Sequence, residues 1–432
     1  MRGGSQVFIL FLFVFLIVID SYAFRGIRIL TASLNPTLKI ALSCLYWSVP
    51  LIIIVLILVM SGHMRQYVTT PKFRVLYFVI GLFVLFYIPK LVFIAFQLGT
   101  DIIRIAGWLT SKISTPGSKI SETALTMSRS EFLTKVGIIV AAIPFLSIIE
   151  GISRGRYNYK VKNIKLTFDN LPIAFEGFRI LQISDWHIGS FSGQYNKVEE
   201  AVELVNTQKA DIILFTGDIV NNVAEELREF IPAVKKLYAP YGVYSILGNH
   251  DYGEYVHWDS DEAHKQNMDL LYDYQNQAGL KLLRNDSFVV EKSNEKIGIA
   301  GVENWGLHPF PQYGDLNKAL EKIRYLPFKI LMSHDPSHWD AQVLNQTDID
   351  LTFSGHTHGM QFGINIPGIK WSPVKWKYPR WAGLYEEGKQ KLYVNVGIGY
   401  IAFPGRVGFL PEITVFELHR SQESPIERKS GA

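Results

Sequence analysis

Four long apolar runs lie within the first 150 residues, and they constrain the fold more than any other feature of the chain. The runs are Val7–Phe24, Ile40–Met60, Val75–Leu98 and Phe132–Ile149. A helix needs about 20 apolar residues to cross the hydrocarbon core of a bilayer, and the second and third runs exceed that length. Helical hairpins of a soluble core rarely reach this length and number. We therefore predict an all-α transmembrane region of about four helices over residues 1–150.

The first and fourth runs are the least regular of the four. The first is short and follows Arg2, as in a signal peptide, but no clear cleavage site follows it, so we predict a retained span. Lys135 and Pro144 interrupt the fourth run, although a lysine can extend to the interface and proline is tolerated in membrane helices. Lys90 lies within the third run, where it can face a neighbouring helix or snorkel. Lysine and arginine in the flanking loops are balanced, so they do not predict the side on which the soluble part lies.

Charge and cysteine content exclude some classes of protein. The 432-residue chain has a formal net charge of only +4, which argues against a dedicated nucleic-acid binder. We predict no specific nucleic-acid partner. Cys44 is the only cysteine, so neither an internal disulfide nor a cysteine metal cluster can form.

From about residue 157 the pattern changes to short apolar runs separated by helical segments. The predicted strands are FRILQISD, ADIILFTGD, YGVYSILGNHD, IGIAGVENW, FKILMSHDP and DIDLTFSGHTHG. The predicted helices are QYNKVEEAVELVNTQK, which has valines at helical spacing, and AEELREFIPAVKKLY. Nearly all-apolar strands that alternate with helices indicate an α/β sheet buried on both faces by helices. We assign residues 151–432 to this second domain.

Polar residues gather just after these predicted strands end. They are Asp185, His187, Asp218, Asn249, His250, His334, His356 and His358. An α/β sheet places its ligands at the C-terminal ends of its strands. Each cluster alone is more often a turn or a satisfied polar residue, but five clusters in succession predict one site.

The residue types of this set indicate a pair of divalent metal ions. Carboxylate oxygen, amide carbonyl and imidazole nitrogen together suit Mn²⁺, Fe or Zn²⁺ better than Ca²⁺ or Mg²⁺, which prefer oxygen alone. Two ions about 3.5–4 Å apart can clamp the attacking and leaving oxygens of a phosphoryl displacement, and a bridging water then becomes hydroxide near neutral pH. We predict two divalent ions as cofactors, and the residues do not choose between the three metals.

The order of the motifs resembles the calcineurin-like metallophosphoesterase superfamily. Asp-x-His, Gly-Asp, Gly-Asn-His-Asp, a single His and Gly-His-Thr-His follow one another between Asp185 and His358. The segment LYVNVGIGYIAFPGRVGFLPEITVFEL is similar to the end of a membrane-anchored bacterial branch, whose relatives include UDP-2,3-diacylglucosamine hydrolases of lipid A biosynthesis. The resemblance implies a layered β-sandwich flanked by helices, classed as α/β or in some schemes α+β. It also implies an integral protein of the bacterial inner membrane.

The resemblance further implies a role for each strand-end residue. The first metal would be bound by Asp185, His187 and His358. The second metal would be bound by Asn249, His334 and His356. Asp218 would bridge the two ions.

Three more residues acquire an interpretation from the same resemblance. His250 would donate a proton to the leaving oxygen, and Asp251 would orient His250. Met360 is a departure, because the branch often has glycine at this position, and the difference bears on the local backbone turn.

Two regions are candidates for contact with substrate. The segment IKWSPVKWKYPRWAG interleaves aromatic and basic residues. It could rest on lipid headgroups, grip a phosphorylated lipid, stack on a base, or form an ordinary surface hairpin. Arg406 is a predicted contact for a substrate phosphate.

These features favour a membrane-bound, dinuclear metal-dependent phosphoesterase that hydrolyses a phosphate ester or pyrophosphate with a metal-bridging hydroxide. Its partners would be membrane lipids and a phosphorylated substrate. A lipid-linked substrate such as UDP-2,3-diacylglucosamine fits the membrane tether. The alternative is a broad-specificity or nucleotide phosphodiesterase. A non-catalytic scaffold predicts lost ligands, yet all are present, and a transporter would find only Lys90 and Asp20 as ionisable residues well inside the spans.

Overall fold

The computed structural model describes residues 2–61, 73–113 and 129–421. The chain divides into two compact units. One unit is Met1–Met64 with Val75–Ile152, and the other is Arg65–Arg74 with Ser153–Ala432.

Long apolar helices make up the first unit. They are α1 (Arg2–Leu30), α2 (Pro36–Ser61), α3 (Phe73–Ile113) and α4 (Arg129–Ser153). Among the described residues, three stretches are long and apolar enough to cross a membrane: Pro36–Met60, Phe73–Thr110 and Phe132–Ser153. Helix α1 contains the first predicted run, but its described part also carries Asp20, Arg25 and Arg28, and these charges reduce its mean hydropathy.

Lys90 faces a neighbouring helix of this unit. Its Nζ lies 2.5 Å from Asp20 Oδ1, and the Tyr87 hydroxyl donates to Asp20 Oδ2 at 2.7 Å. Lys90 Nζ also lies 4.9 Å from the ring centre of Tyr46. A charge within an apolar bundle is costly unless it is paired, so this cluster ties α1 to α3 and, through Tyr46, to α2.

The second unit is built on two six-stranded sheets and one separate hairpin. The strands are β1 (Lys160–Phe168), β2 (Arg179–Ile183), β3 (Ile212–Phe215), β4 (Val243–Ser245), β5 (Lys281–Leu282), β6 (Asp286–Lys292), β7 (Glu295–Gly301), β8 (Lys329–Met332), β9 (Leu351–Ser354), β10 (Ile364–Ile366), β11 (Ile369–Trp371), β12 (Gly383–Glu387), β13 (Gln390–Val394) and β14 (Glu412–Arg420). The first sheet has the order β1-β14-β2-β3-β4-β5 and the second β12-β13-β9-β8-β7-β6, while among the described strands β10 and β11 pair only with each other. Strands β2 to β5 run parallel, as do β7, β8, β9 and β13.

The main core lies between the two sheets. Ile180 and Leu214 from the first sheet share one buried cluster with Ile330 and Phe353 from the second. The predicted α/β architecture and β-sandwich are confirmed. The expectation of a sheet with helices on both faces is corrected, because one face of each sheet packs against the other sheet.

Five α-helices are described in the second unit. They are α5 (Tyr195–Thr207), α6 (Glu225–Arg228), α7 (Ile231–Val234), α8 (Asp261–Gln277) and α9 (Leu316–Leu320). The predicted helix in QYNKVEEAVELVNTQK is α5, which buries Val198, Val202 and Val205. The other predicted helix is wrong as a single element, since it is divided into α6 and α7. Pro232 lies in the first turn of α7, a position that proline tolerates, whereas inside a longer helix it would remove a backbone hydrogen bond.

Candidate metal centre

The seven predicted metal ligands come together where five strands end. Asp185 and His187 follow β2, Asp218 follows β3, Asn249 follows β4, His334 follows β8, and His356 and His358 follow β9. All are buried except His356, which is half-buried. The two sheets therefore both contribute to one polar site.

Two triads of possible ligand atoms stand out. Asp185, His187 and His358 each offer one atom within 4.8 Å of the others, and so do Asp218, His334 and His356. Asn249 Oδ1 adds to the second triad, because it lies 2.8 Å from His356 Nδ1.

Asp218 lies between these two triads. Its Oδ2 is 3.1 Å from His334 Nε2 and 3.6 Å from His187 Nε2. One carboxylate is therefore within reach of both sets of histidines, which is the position a bridging ligand needs.

Five of the seven residues adopt left-handed backbone conformations. Their φ angles are 51° for Asp185, 48° for His187, 59° for Asp218, 70° for His356 and 51° for His358. Such conformations cost residues other than glycine about 1–3 kcal/mol each, and they concentrate at functional sites. Met360 also has a φ of 55°, so it keeps the turn at which the related branch often has glycine.

Two glycines leave room for the carboxylates. A Cβ atom on Gly248 would lie 2.2 Å from Asp218 Oδ1, and one on Gly355 would lie 2.3 Å from Asp185 Oδ2. Any larger residue would displace a predicted ligand, because both distances are far below van der Waals contact.

The electrostatics of the site favour positive charge beside the carboxylates. Burial opposes a charge on His334, yet Asp218 and Asp185 outweigh it and raise the pKa of His334 above its usual range. Burial raises the pKa of Asp185 to about 7. Divalent cations would supply positive charge without a proton, so these residues fit a metal site.

The other histidines favour the neutral form that metal binding requires. Burial lowers the pKa of His187 to about 3 and the pKa of His356 to about 4. Burial likewise holds the pKa of His358 well below its usual range.

Partners on the outer side of the histidines fix which nitrogen faces the site. Nδ1 of His187 lies 3.1 Å from the carbonyl of Val220, and Nδ1 of His334 lies 2.7 Å from the carbonyl of Thr216. Because a carbonyl only accepts, each Nδ1 carries the proton and each Nε2 keeps a lone pair for the site.

His356 is turned the other way. Its Nδ1 faces Asn249 Oδ1, and its Nε2 lies 2.7 Å from the hydroxyl of Tyr378. Asn249 is itself oriented, since its Nδ2 donates to the hydroxyl of Tyr255 at 2.8 Å. Sequence reasoning missed these roles of the two tyrosines. Tyr255 lies only six residues after Asn249, which is a weak signal for its role. Tyr378 lies in the segment IKWSPVKWKYPRWAG, which we considered for contact with lipid or substrate and not for support of a metal ligand.

The expected contact between Asp251 and His250 is corrected by the structure. His250 Nδ1 lies 2.7 Å from the carbonyl of Asn221, and this carbonyl orients the ring. The Asp251 carboxylate instead accepts from backbone N–H groups, which belong to Asp218, Ile219, Val220 and Gly248. Asp251 therefore holds the loop that carries Asp218.

Arg406 is also placed differently from the prediction. It is fully buried, and it donates to the carbonyls of Gly399 at 2.7 Å and Phe409 at 3.2 Å. Its third nitrogen lies 3.3 Å from His358 Nδ1. The guanidinium is thus occupied by protein atoms and lies beside a predicted ligand, where a phosphate contact was expected.

Both parts of this chain are similar to known protein families. A family model for calcineurin-like phosphoesterases matches residues 178–360, and a model for the probable transmembrane domain of such enzymes matches residues 2–156. The metallophosphoesterase YkuE of Bacillus subtilis is 33% identical over 253 residues, which cover 57% of this chain and 81% of that protein. The chain belongs to the calcineurin-like metallophosphoesterases. The resemblance carried by its motifs is confirmed.

Two other similar proteins have lower sequence identity to this metallophosphoesterase. The transmembrane protein with metallophosphoesterase domain of Danio rerio is 27% identical over 290 residues, which cover 65% of this chain and 61% of that protein. The structure of phosphopantetheinyl hydrolase from Mycobacterium tuberculosis superposes with a TM-score of 0.32 and 13% identity, covering 53% of this chain and 91% of that one. Family membership makes the metallophosphoesterase a hydrolase of phosphoric esters, and its apolar helices make it a membrane protein.

Proposed function

We propose that this metallophosphoesterase binds two divalent cations and hydrolyses a phosphate ester or a pyrophosphate at the bacterial inner membrane. The observation that carries the proposal is the pair of triads that share Asp218 between them. In this proposal the transmembrane region is residues 1–150 and the catalytic domain is residues 151–432. When bound, the cations would polarise the phosphoryl group and lower the pKa of the attacking water.

The ligand roles follow the directions of the side chains. The first cation would be held by Asp185, His187 and His358. The second cation would be held by Asn249, His334 and His356. Asp218 would serve both.

His250 is proposed as the proton donor to the leaving oxygen. Its backbone N–H donates to Asp218 Oδ1 at 2.8 Å, and its ring centre lies 4.9 Å from that of His187, so the imidazole stands at the edge of the centre. Burial lowers the pKa of His250, and the charge of Asp218 acts in the opposite direction. An anionic phosphate beside the ring would raise this pKa, so the substrate would bring His250 toward the protonated form that can donate.

We further propose a lipid-linked substrate, with UDP-2,3-diacylglucosamine as the named candidate. The membrane region supports it, because an enzyme at the bilayer surface need not extract its lipid. A cavity of about 290 Å³ lies beside Tyr378 and has Lys377 and Arg380 in its wall. Arg380 pairs with Asp340 at 3.0 Å, which leaves Lys377 to meet a second phosphate. Water would add across one P–O bond of the pyrophosphate, releasing UMP and a lipid monophosphate.

Hydrolysis by full-length, Mn²⁺-loaded protein in detergent tests this proposal. The substrates are UDP-2,3-diacylglucosamine, bis(p-nitrophenyl) phosphate and a cyclic nucleotide, with mass spectrometry of the products and Asp218→Asn as the control. UMP with lipid monophosphate is the expected result. Turnover of the nucleotide and the nitrophenyl ester alone would favour the broad-specificity alternative. If Asp218→Asn kept all the activities of the wild type, this result would contradict the dinuclear site.

A further inference from the structure

The hairpin of β10 and β11 has one continuous apolar face. The register pairs Ile364 with Trp371 and Ile366 with Ile369. Directly paired residues, and residues two apart on one strand, point to the same side of a ribbon. The four side chains therefore form one face, and the three isoleucines in it are 48–55% exposed.

Trp376 extends this face and lysines border it. The ring centre of Trp376 lies 5.8 Å from that of Trp371, and its side chain is 74% exposed. Lys375 and Lys377 flank it and are also exposed. Apolar side chains with tryptophan and lysine at their border are typical of segments that lie in the headgroup region of a bilayer.

The hairpin is tied to the metal centre at its base. The hydroxyl of Ser372 donates to the carbonyl of Gly359 at 2.8 Å, and Gly359 directly follows the predicted ligand His358. Beyond β11 the chain reaches Tyr378, whose hydroxyl contacts His356. Whatever holds the hairpin therefore also holds loops of the metal centre.

The covalent chain keeps this domain close to a membrane. Helix α4 ends at Ser153 and is apolar enough to cross a bilayer, and β1 begins at Lys160. The intervening residues 154–159 span about 20 Å even when fully extended. A bilayer is thus the apolar partner that is always within reach of this domain.

We propose that this apolar ribbon inserts into the boundary between headgroups and acyl chains of the bilayer that the chain itself crosses. The ribbon consists of Ile364, Ile366, Ile369, Trp371 and Trp376. Lys375 then lies against anionic headgroups, where a basic residue adds to membrane attraction. The proposal does not depend on which phosphate ester is hydrolysed.

A label on the ribbon tests the proposal in the full-length protein. Cys44, the only cysteine, is replaced by serine, and Ile366→Cys carries an environment-sensitive fluorophore. The matched controls are Tyr238→Cys and Tyr325→Cys, which are exposed positions outside the ribbon. Each protein is placed singly in lipid nanodiscs that contain phosphatidylcholine with or without phosphatidylglycerol. Bound metal and turnover of a soluble nitrophenyl ester show that each variant is folded.

The expected result is a blue-shifted emission at position 366 and strong quenching by lipids that carry nitroxides on their acyl chains. Labels at 238 and 325 should show neither effect. Lys375→Glu should reduce the quenching at 366 in anionic discs and leave it unchanged in neutral discs. Equal quenching at 366 and at the controls would overturn the proposal, and so would self-quenching in detergent that rises with protein concentration, because it would indicate a second copy of the chain as the partner. Failure of UDP-2,3-diacylglucosamine hydrolysis would leave these fluorescence results unaffected.

Discussion

Replacing Tyr378 by phenylalanine removes one hydroxyl group from the outer side of a proposed ligand to the second metal. That hydroxyl lies 2.7 Å from His356 Nε2, while Nδ1 of the same ring faces Asn249. Loss of such a supporting partner costs about 10–100-fold in metal affinity, or about 1.4–2.7 kcal/mol. Asp335 Oδ2 lies 3.5 Å from the same nitrogen and can accept in place of the hydroxyl. We therefore expect the lower end of the range, a loss of about tenfold.

Titration of Mn²⁺ into metal-free, full-length protein measures this effect. Electron paramagnetic resonance distinguishes one isolated Mn²⁺ from a coupled pair, so the two binding events can be followed separately. Tyr378→Phe should bind the first ion as the wild type does and require more Mn²⁺ to form the pair. The double variant with Asp335→Asn should require still more.

Thermal unfolding provides the control for Tyr378→Phe. The ring packs in a small cluster with Trp381 and Phe409, and phenylalanine keeps that contact, so the melting temperature should change little. Unchanged affinity for both ions would show that Tyr378 does not support the site. Weaker binding of the first ion alone would show that the ligands have been assigned to the wrong metals.

Three other variants follow from the structure. His250→Ala should keep both ions, as metal analysis can show, but lose about 10²–10⁴-fold in turnover, with the larger loss on poor leaving groups; an equal loss on good and poor leaving groups would contradict proton donation. Asp218→Asn should lose metal first and activity as a consequence, because the negative bridge between two cations is weakened; full metal content by mass spectrometry would exclude the bridging role. Lys90→Met should lower the free energy of unfolding by about 3–5 kcal/mol, since it leaves Asp20 buried without its cation, and adding Asp20→Asn should restore most of the melting temperature in detergent; no recovery would show that the pair is not the cause.

The positions of the candidate ligands could be predicted because they depend on local features. Asp185, Asp218 and His334 each follow an apolar strand almost at once, and parallel strands bring such ends together. The partners of His250 and Arg406 could not be read in this way. Asn221 is 29 residues before His250 along the chain, and Gly399 reaches Arg406 through a fold of the same loop. Which loop packs against which is decided by tertiary contacts that carry no local periodicity.

The dependence on tertiary contacts also explains why the packing of the sheets was predicted only in part. Nearly all-apolar strands such as β3 and β8 report that both faces are buried, but they do not report whether helices or a second sheet cover them. The single helix predicted over the region of α6 and α7 was wrong for a different reason. Pro232 is visible in the sequence, and a proline at this position predicts a break in the helix. The pairing of Lys90 with Asp20 depends on how two helices that are far apart in the sequence pack together, so hydropathy could not predict it.

Each proposed cation would draw ligands from both sheets. The first joins Asp185 and His187 of one layer to His358 of the other, and the second joins Asp218 and Asn249 to His334 and His356. The ions would then act as cross-links between the halves of the sandwich. A relative that lost one ligand would therefore lose a link between its two sheets as well as its chemistry, whereas a change at a residue that binds no ion would affect the chemistry alone. His250 lies beside the centre and is not among the proposed ligands. Its replacement in a relative would therefore indicate that the relative keeps the fold but no longer catalyses the reaction.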